Sequence, residues 1–199
     1  MKAEEASELM DQDAGRDRFK TRAAVAIAFL AMMLAITGLG GNNATKEALN
    51  ENILASNAFN FFQAKNMRQT SYALAANELE VMLTANPSLP DNAKAAVTKR
   101  IDDYRKTVAR YDSEPETGEG KKELLAKARD HQTKRDHALK QDPYFDYAEA
   151  LLQIAIVLIS VAIVAEQIWL AFIGGGLGLI GSLLMLNGFL LWFEIPGLS

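Results

Sequence analysis

The sequence predicts an all-α protein: three transmembrane helices, with a long extramembrane antiparallel helical hairpin of coiled-coil character between the first and the second. Three observations carry this expectation. Residues 23–41, 150–165 and 168–193 contain no charged side chain. At roughly 19, 16 and 26 residues, these runs approach or exceed the ~20 needed to cross a hydrocarbon core of ~30 Å. The segment between the first two runs mixes acids and bases with apolar residues at helical spacing, and nowhere does the period of two that marks a strand appear.

Residues 1–22 form a polar N-terminal tail, expected to be loosely ordered. Its acids Glu4, Glu5, Glu8, Asp11, Asp13 and Asp17 suit the basic leading region of a cleaved signal poorly. The run at 23–41 is therefore read as a retained anchor, the first transmembrane helix. Arg16, Arg18, Lys20 and Arg22 directly precede it, whereas Lys46 is the next base after it. The positive-inside rule then places the N-terminus in the cytoplasm and the hairpin outside it, which is the periplasm if the source is a Gram-negative bacterium. Lys127, Arg129, Lys134, Arg135 and Lys140 before the second span argue the other way, but they belong to a loop longer than the ~60 residues over which the rule is counted.

Within the first span, Ala24, Ala28, Ala31, Ala35 and Gly38 recur at steps of four and three, a stripe of small side chains on one helix face. The third span repeats the device with Gly174, Gly178 and Ser182, and Gly175, Gly176 and Gly181 lie nearby. Small residues let backbones approach closely in lipid, so both stripes are read as helix-packing surfaces, against each other or a neighbouring subunit.

The extramembrane region, 42–143, divides into helices at about 44–86, 89–111 and 120–141. The first is free of proline, reads as a continuation of the first span and ends at Asn86-Pro87. Phe59, Phe61, Phe62, Met67 and Tyr72 are too many large apolar groups for a solitary exposed helix. Ser88, with Pro90 and Asp91 following, is read as the cap of the next helix. There Val97, Ile101, Tyr104, Val108 and Tyr111 alternate steps of four and three, the seam of a coiled coil. Ser113 to Gly120 reads as a turn or flexible tip. The third helix is heavily charged, and its apolar positions Leu124, Leu125 and Ala128 fade toward its end. Asp142-Pro143 is read as the cap that opens a second transmembrane helix at 144–165, because proline suits the first helical position. The third transmembrane helix, 168–193, and a C-terminal tail, 194–199, complete the chain. Tyr144, Phe145 and Tyr147, then Trp169 and Phe172, then Trp192 and Phe193 mark the expected interfaces.

Asn57-Ala-Phe-Asn-Phe-Phe-Gln-Ala-Lys65 with Arg68 and Tyr72, Phe145-Asp-Tyr-Ala-Glu149-Ala-Leu-Leu-Gln153 with the Ile-Ala-Ile-Val-Leu that follows, and Leu186-Asn-Gly-Phe189 resemble the signature of the bacterial domain-of-unknown-function family 4337. The resemblance spans nearly the whole chain beyond the N-terminal tail. It implies a three-span bacterial inner-membrane protein with an external helical region, and it brings no activity. Where relatives of this kind carry bases in the turn between the last two spans, this chain has Glu166 and Gln167.

Candidate chemistry is sparse. Glu149 and Gln153 share a helix face near the membrane boundary, with Asp146 extending it, and Asn187 lies in the third span. Intramembrane polar groups mark ion routes or hold helices in register. Boundary position favours the structural role for Glu149 and Gln153, and Asn187 is read as interhelical glue. Lys65 and Arg68 are read as ion-pair partners for acids on a facing helix. His131 and His137, six apart, are about 120° out of alignment and present no two-histidine metal face. The absence of cysteine excludes disulfides, thiolate nucleophiles and cysteine-ligated metal. No phosphate-cradling glycine loop, nucleophile elbow or triad is present, so no cofactor, metal or catalytic residue is assigned. The net charge of −4 is mild, so the overall balance implies neither a nucleic-acid partner nor an anionic membrane surface. The expected function is a non-enzymatic oligomeric scaffold, or an accessory subunit of a larger membrane complex, whose partners are the bilayer and other copies or subunits. The alternative is an oligomeric ion or small-solute channel with Glu149 and Gln153 on its polar path.

Overall fold

The computed structural model describes residues 3–196, with side chains from residue 15 onward. It contains α1 (Ala3–Ala85), α2 (Asp91–Asp112), α3 (Lys121–Ala165) and α4 (Ile168–Leu190), and no strand among the described residues. α1, α3 and α4 are each long and apolar enough to cross a membrane. The chain forms two compact units: Met1–Ala48 with Asp136–Ser199, and Leu49–Arg135.

Several local expectations are corrected. The segment before the first span is helical from Ala3 rather than a loose tail. Nucleation is the costly step of helix formation, and a turn added to an existing helix gains a hydrogen bond for each residue it fixes. The span supplies that nucleus, and no proline interrupts the residues before it. Likewise α1 carries on without a break to Ala85. Ser88 does not cap α2. The helix begins at Asp91, after an extended Pro90 (φ −59°, ψ 145°) whose carbonyl accepts from the amides of Ala93 and Lys94. Proline disfavours the helical conformation at the residue before it, here Leu89, so the start falls after the ring.

Asp142-Pro143 does not open a new helix, because α3 passes straight through Pro143. An interior proline removes one backbone hydrogen bond and crowds the carbonyl four residues back. Packing on the C-terminal side outweighs that loss, for Tyr144, Phe145 and Ala148 are all essentially buried. The Asp142 carboxylate accepts instead from the Thr45 hydroxyl at 2.8 Å.

In the unit that contains the spans, α3 buries Ala148, Leu152, Ala155, Ile159 and Ala162, at steps of four and three. α4 answers with Gly174, Gly178, Gly181, Met185 and Gly188 at the same steps. The two helices are joined by Glu166 and Gln167, with Glu166 in the left-handed region (φ 54°). Gly174 meets Ile159 and Ala155, Gly181 meets Leu152 and Ala148, and Gly188 meets Phe145, so the pair runs antiparallel. α1 contributes Ala23, Leu30, Thr37 and Ala44, one residue every seven, with Leu30 seated on Gly178. The buried Thr37 hydroxyl is satisfied by its own helix, donating to the Met33 carbonyl at 2.8 Å.

The second unit buries Ala55, Ala58 and Ala76 of α1, Ile101 of α2, and Leu124 and Ala128 of α3. Tyr72 stacks edge-on against Tyr104, centroids 5.3 Å apart, and lies 5.9 Å from Tyr111. Gln69 donates to the Val108 carbonyl at 2.9 Å, and Arg105 pairs with Glu80.

Candidate functional site

The sequence-derived stripes have opposite fates. Gly174 and Gly178 are buried and Ser182 is half-buried, its hydroxyl turned back to the Gly178 carbonyl at 2.8 Å. Ala24, Ala28, Ala31 and Ala35, in contrast, are exposed and Gly38 is half-exposed. The face of α1 used within the chain is the one carrying Ala23, Leu30 and Thr37. Both series obey helical spacing, and the larger Leu30 fills the space that the α4 glycines leave.

Glu149 and Gln153 do come together: the Gln153 amide donates to the Glu149 carboxylate at 3.0 Å. Their face of α3 is turned away from the buried Ala148–Leu152–Ala155 series, and Gln153 is exposed. Asp146 is exposed as well. Asn187 is buried, but it is not interhelical glue. Its side chain brackets Phe193, donating to the carbonyl at 2.9 Å and accepting from the amide at 3.1 Å. The Tyr144 hydroxyl joins them, donating to the Phe193 carbonyl at 3.0 Å and accepting from the Ile195 amide at 2.9 Å. Lys140 and Glu194 pair alongside at 2.8 Å, which holds the ammonium above its usual range and the carboxyl below its own. These contacts fasten the segment after α4 by using groups that sequence reasoning had left as separate candidates.

At the opposite end of α3 and α4, Glu166 in the connecting turn reaches Arg16 at 3.1 Å and Lys20 at 3.6 Å. The acid that replaces the turn's expected bases is thus matched by bases on α1.

In the second unit, Val97, Tyr104, Val108 and Tyr111 are half-buried and Ile101 fully buried, all on one face of α2. Phe59 and Phe62 are half-buried, whereas Phe61 is 65% exposed. Lys65 pairs with Glu114 at 3.3 Å and Glu119 at 3.8 Å, and its ammonium sits 5.2 Å above the Tyr111 ring. Arg68 is exposed. Lys121 donates to Asn66 at 2.7 Å and Gln69 at 2.6 Å. His131 contacts Glu51 at 2.6 Å while His137 is exposed, so the histidines do not converge. Among the described residues no three metal-binding side chains converge.

The segment Ser113–Gly120 is tied down. Glu123 accepts from the Ser113 hydroxyl at 2.6 Å and the Glu114 amide at 3.1 Å, and Lys127 donates to the Gly118 carbonyl at 2.8 Å. The Ser113 hydroxyl, followed by the Glu114 N–H, holds the Glu123 carboxyl below its usual range. A depressed folded-state pKa contributes stability that is complete above the unfolded value and lost as pH falls through the folded one. After correction for intrinsic rates, amide exchange at Glu114 is therefore expected to accelerate on acidification below about pH 4. Glu123→Gln is expected to accelerate it at neutral pH and to flatten that acid dependence.

Sequence reasoning missed a second face of α1. Ile53, Asn60, Met67, Leu74 and Val81 are spaced seven apart and all are exposed, as is Leu49 beside them. Strict sevenfold spacing was the available signal, and the denser Phe59–Phe62 cluster masked it.

Among the described residues the protein has four helices and no strand, and three of those helices are long and apolar enough to cross a membrane. The chain belongs to the Domain of unknown function (DUF4337) family, whose model matches residues 19–191. No curated protein and no solved structure is detectably similar to it.

Proposed function

We propose that this is a non-enzymatic scaffold of the bacterial inner membrane that assembles with copies of itself through the uncovered face of α1. The reading rests on one observation: Leu49, Ile53, Met67, Leu74 and Val81 are each more than half exposed outside the apolar span. Covering such side chains from water is favourable by ~1 kcal/mol or more each. A monomeric soluble surface seldom leaves so many in line. Ile53, Met67, Leu74 and Val81 fall at multiples of seven, as one core position of a supercoiled helix pair does, and Asn60 is the polar residue within that series. Copies inserted in one direction carry parallel α1 helices, so identical positions meet across a twofold axis. The exposed Ala24–Gly38 stripe supports the same contact within the bilayer, where small residues favour close approach.

The contacts of Tyr72, Gln69 and Glu80 with α2, and of Glu51 and Asn66 with α3, support an antiparallel helical hairpin for residues 49–135. The bases Arg16, Arg18, Lys20 and Arg22 ahead of the first apolar run support a cytoplasmic N-terminus and a periplasmic hairpin.

Full-length protein extracted from membranes is expected to run as a defined oligomer. Met67→Glu with Leu74→Glu is expected to reduce it to monomer without loss of helicity, as followed by light scattering and circular dichroism. A monomeric parent protein would defeat the reading. The second reading, an oligomeric channel, is favoured by the Glu149–Gln153 pair, in which Glu149 is half-buried and Gln153 exposed. It requires ion flux in vesicles that disappears in Glu149→Ala.

A further inference from the structure

The end of the molecule where α1 enters the apolar bundle carries a groove that packing does not explain. It has a volume of about 400 Å3 and is lined by Arg16, Phe19, Lys20, Ile163, Glu166 and Ile168. We propose that this groove binds the headgroup phosphate of an anionic glycerophospholipid, with its first acyl carbons on the apolar wall.

Charge comes first. Two cations share one carboxylate, so the trio carries a net positive charge. All three groups remain reachable, with side chains 58%, 45% and 43% exposed for Arg16, Lys20 and Glu166. The Lys20 contact, at 3.6 Å, is longer than a hydrogen bond, so its ammonium can turn to a competing oxygen without breaking one. A guanidinium presents five donors in a planar fork, more than the Glu166 carboxylate, 3.1 Å from Arg16 Nη2, can occupy, which leaves donors for an incoming phosphate.

Shape decides the class of ligand. Arg16 and Lys20 are one helical turn apart on α1, with Phe19 next to Lys20. Ile163 and Ile168 stand on either side of the α3–α4 turn. Phosphate-binding donors above a wall of Phe19, Ile163 and Ile168 match a molecule that is anionic at one end and hydrocarbon at the other. Free phosphate would leave that wall unused. Bases at the headgroup level are also drawn to anionic lipid at ~1 kcal/mol each. Glu166 holds the bases in place when no lipid is bound and competes with the phosphate when one arrives.

This site rests on the membrane reading above, and the two fail differently. A protein that remains in the aqueous fraction would sink both, whereas a membrane-embedded protein indifferent to headgroup charge would sink the site alone. The experiment is a titration of the detergent-solubilised full chain with short-chain phosphatidylglycerol, phosphatidylcholine or inorganic phosphate, read as a shift in thermal midpoint. Phosphatidylglycerol is expected to raise the midpoint, with the other two inert at equal concentration. Lys20→Gln is expected to weaken the phosphatidylglycerol response about fivefold. Glu166→Gln, which removes the competing carboxylate, is expected to strengthen it. Each variant is referred to its own lipid-free midpoint, so a change in intrinsic stability does not enter. Equal responses to phosphatidylcholine, a response reproduced by inorganic phosphate, or an unchanged response in Lys20→Gln would each overturn the proposal.

Discussion

Phe145→Ala is expected to destabilise the apolar bundle by about 2–3 kcal/mol, read as a lowered midpoint in thermal or dodecyl-sulfate unfolding. The ring is 2% exposed and packs edge-on against Phe189, with centroids 4.8 Å apart at 71°. Its seat is made of glycines. A β-carbon on Gly40 would lie 2.6 Å from the ring, one on Gly188 2.9 Å from it, and one on Gly41 3.3 Å from the Phe145 β-carbon. Truncation would therefore leave a hole that three backbones cannot fill. Phe→Ala in water-soluble cores costs ~3–5 kcal/mol. In the membrane proposed above, lipid tails would be as apolar as the protein interior, which reduces the transfer part and leaves the lost packing. Phe145→Leu is expected to recover more than half of the loss.

Gly174→Val and Gly181→Val are expected to cost about 1–3 kcal/mol each by forcing α3 and α4 apart. A β-carbon at Gly174 would stand 3.0 Å from the Ala155 carbonyl oxygen and 2.8 Å from Ile159 Cγ1. At Gly181 it would stand 3.2 Å from the Ala148 carbonyl oxygen and 3.1 Å from Leu152 Cγ. Side-chain tips can rotate aside, but backbone carbonyls move only with the helix. Gly175 and Gly176 provide the internal control, since a β-carbon on either meets nothing within 4 Å. Gly175→Ala is expected to be neutral or to stabilise by up to ~1 kcal/mol through helix propensity. Unfolding midpoints of the three variants, measured side by side, distinguish close packing from a flexible glycine-rich hinge, which would make Gly175→Ala the damaging change.

The sequence made the three apolar helices legible because a charge in lipid is expensive, so charge-free runs are hard to mistake. The α4 glycine positions were legible for a related reason, that small residues at helical spacing mark close approach. Periodicity, however, identifies a face without saying what covers it. The Ala24–Gly38 series and the Ala23–Leu30–Thr37 series share the same spacing, and only the position of Gly178 opposite Leu30 decides between them. Pro143 obeyed a sound local rule and still lies mid-helix, because the burial of Tyr144 and Phe145 outweighs one missing hydrogen bond. Asn187 was recognised as a polar group in need of partners. Those partners, the Phe193 amide and carbonyl, depend on a left-handed Leu191 (φ 46°) that turns the chain back, and a β-branched-free leucine gives no hint of that conformation. The exposed Ile53–Val81 series became meaningful only once α2 and α3 were seen to occupy the other side of α1.

Self-association through α1 is the central claim, and the absence of cysteine permits a direct test in intact membranes. Met67→Cys and Leu74→Cys, oxidised in native membranes before extraction, are expected to form covalent dimers in high yield. Asp102→Cys, on the exposed side of α2, is the control and is expected to remain monomeric. Dimer yields at positions 67 and 74 no higher than at position 102 would contradict the account.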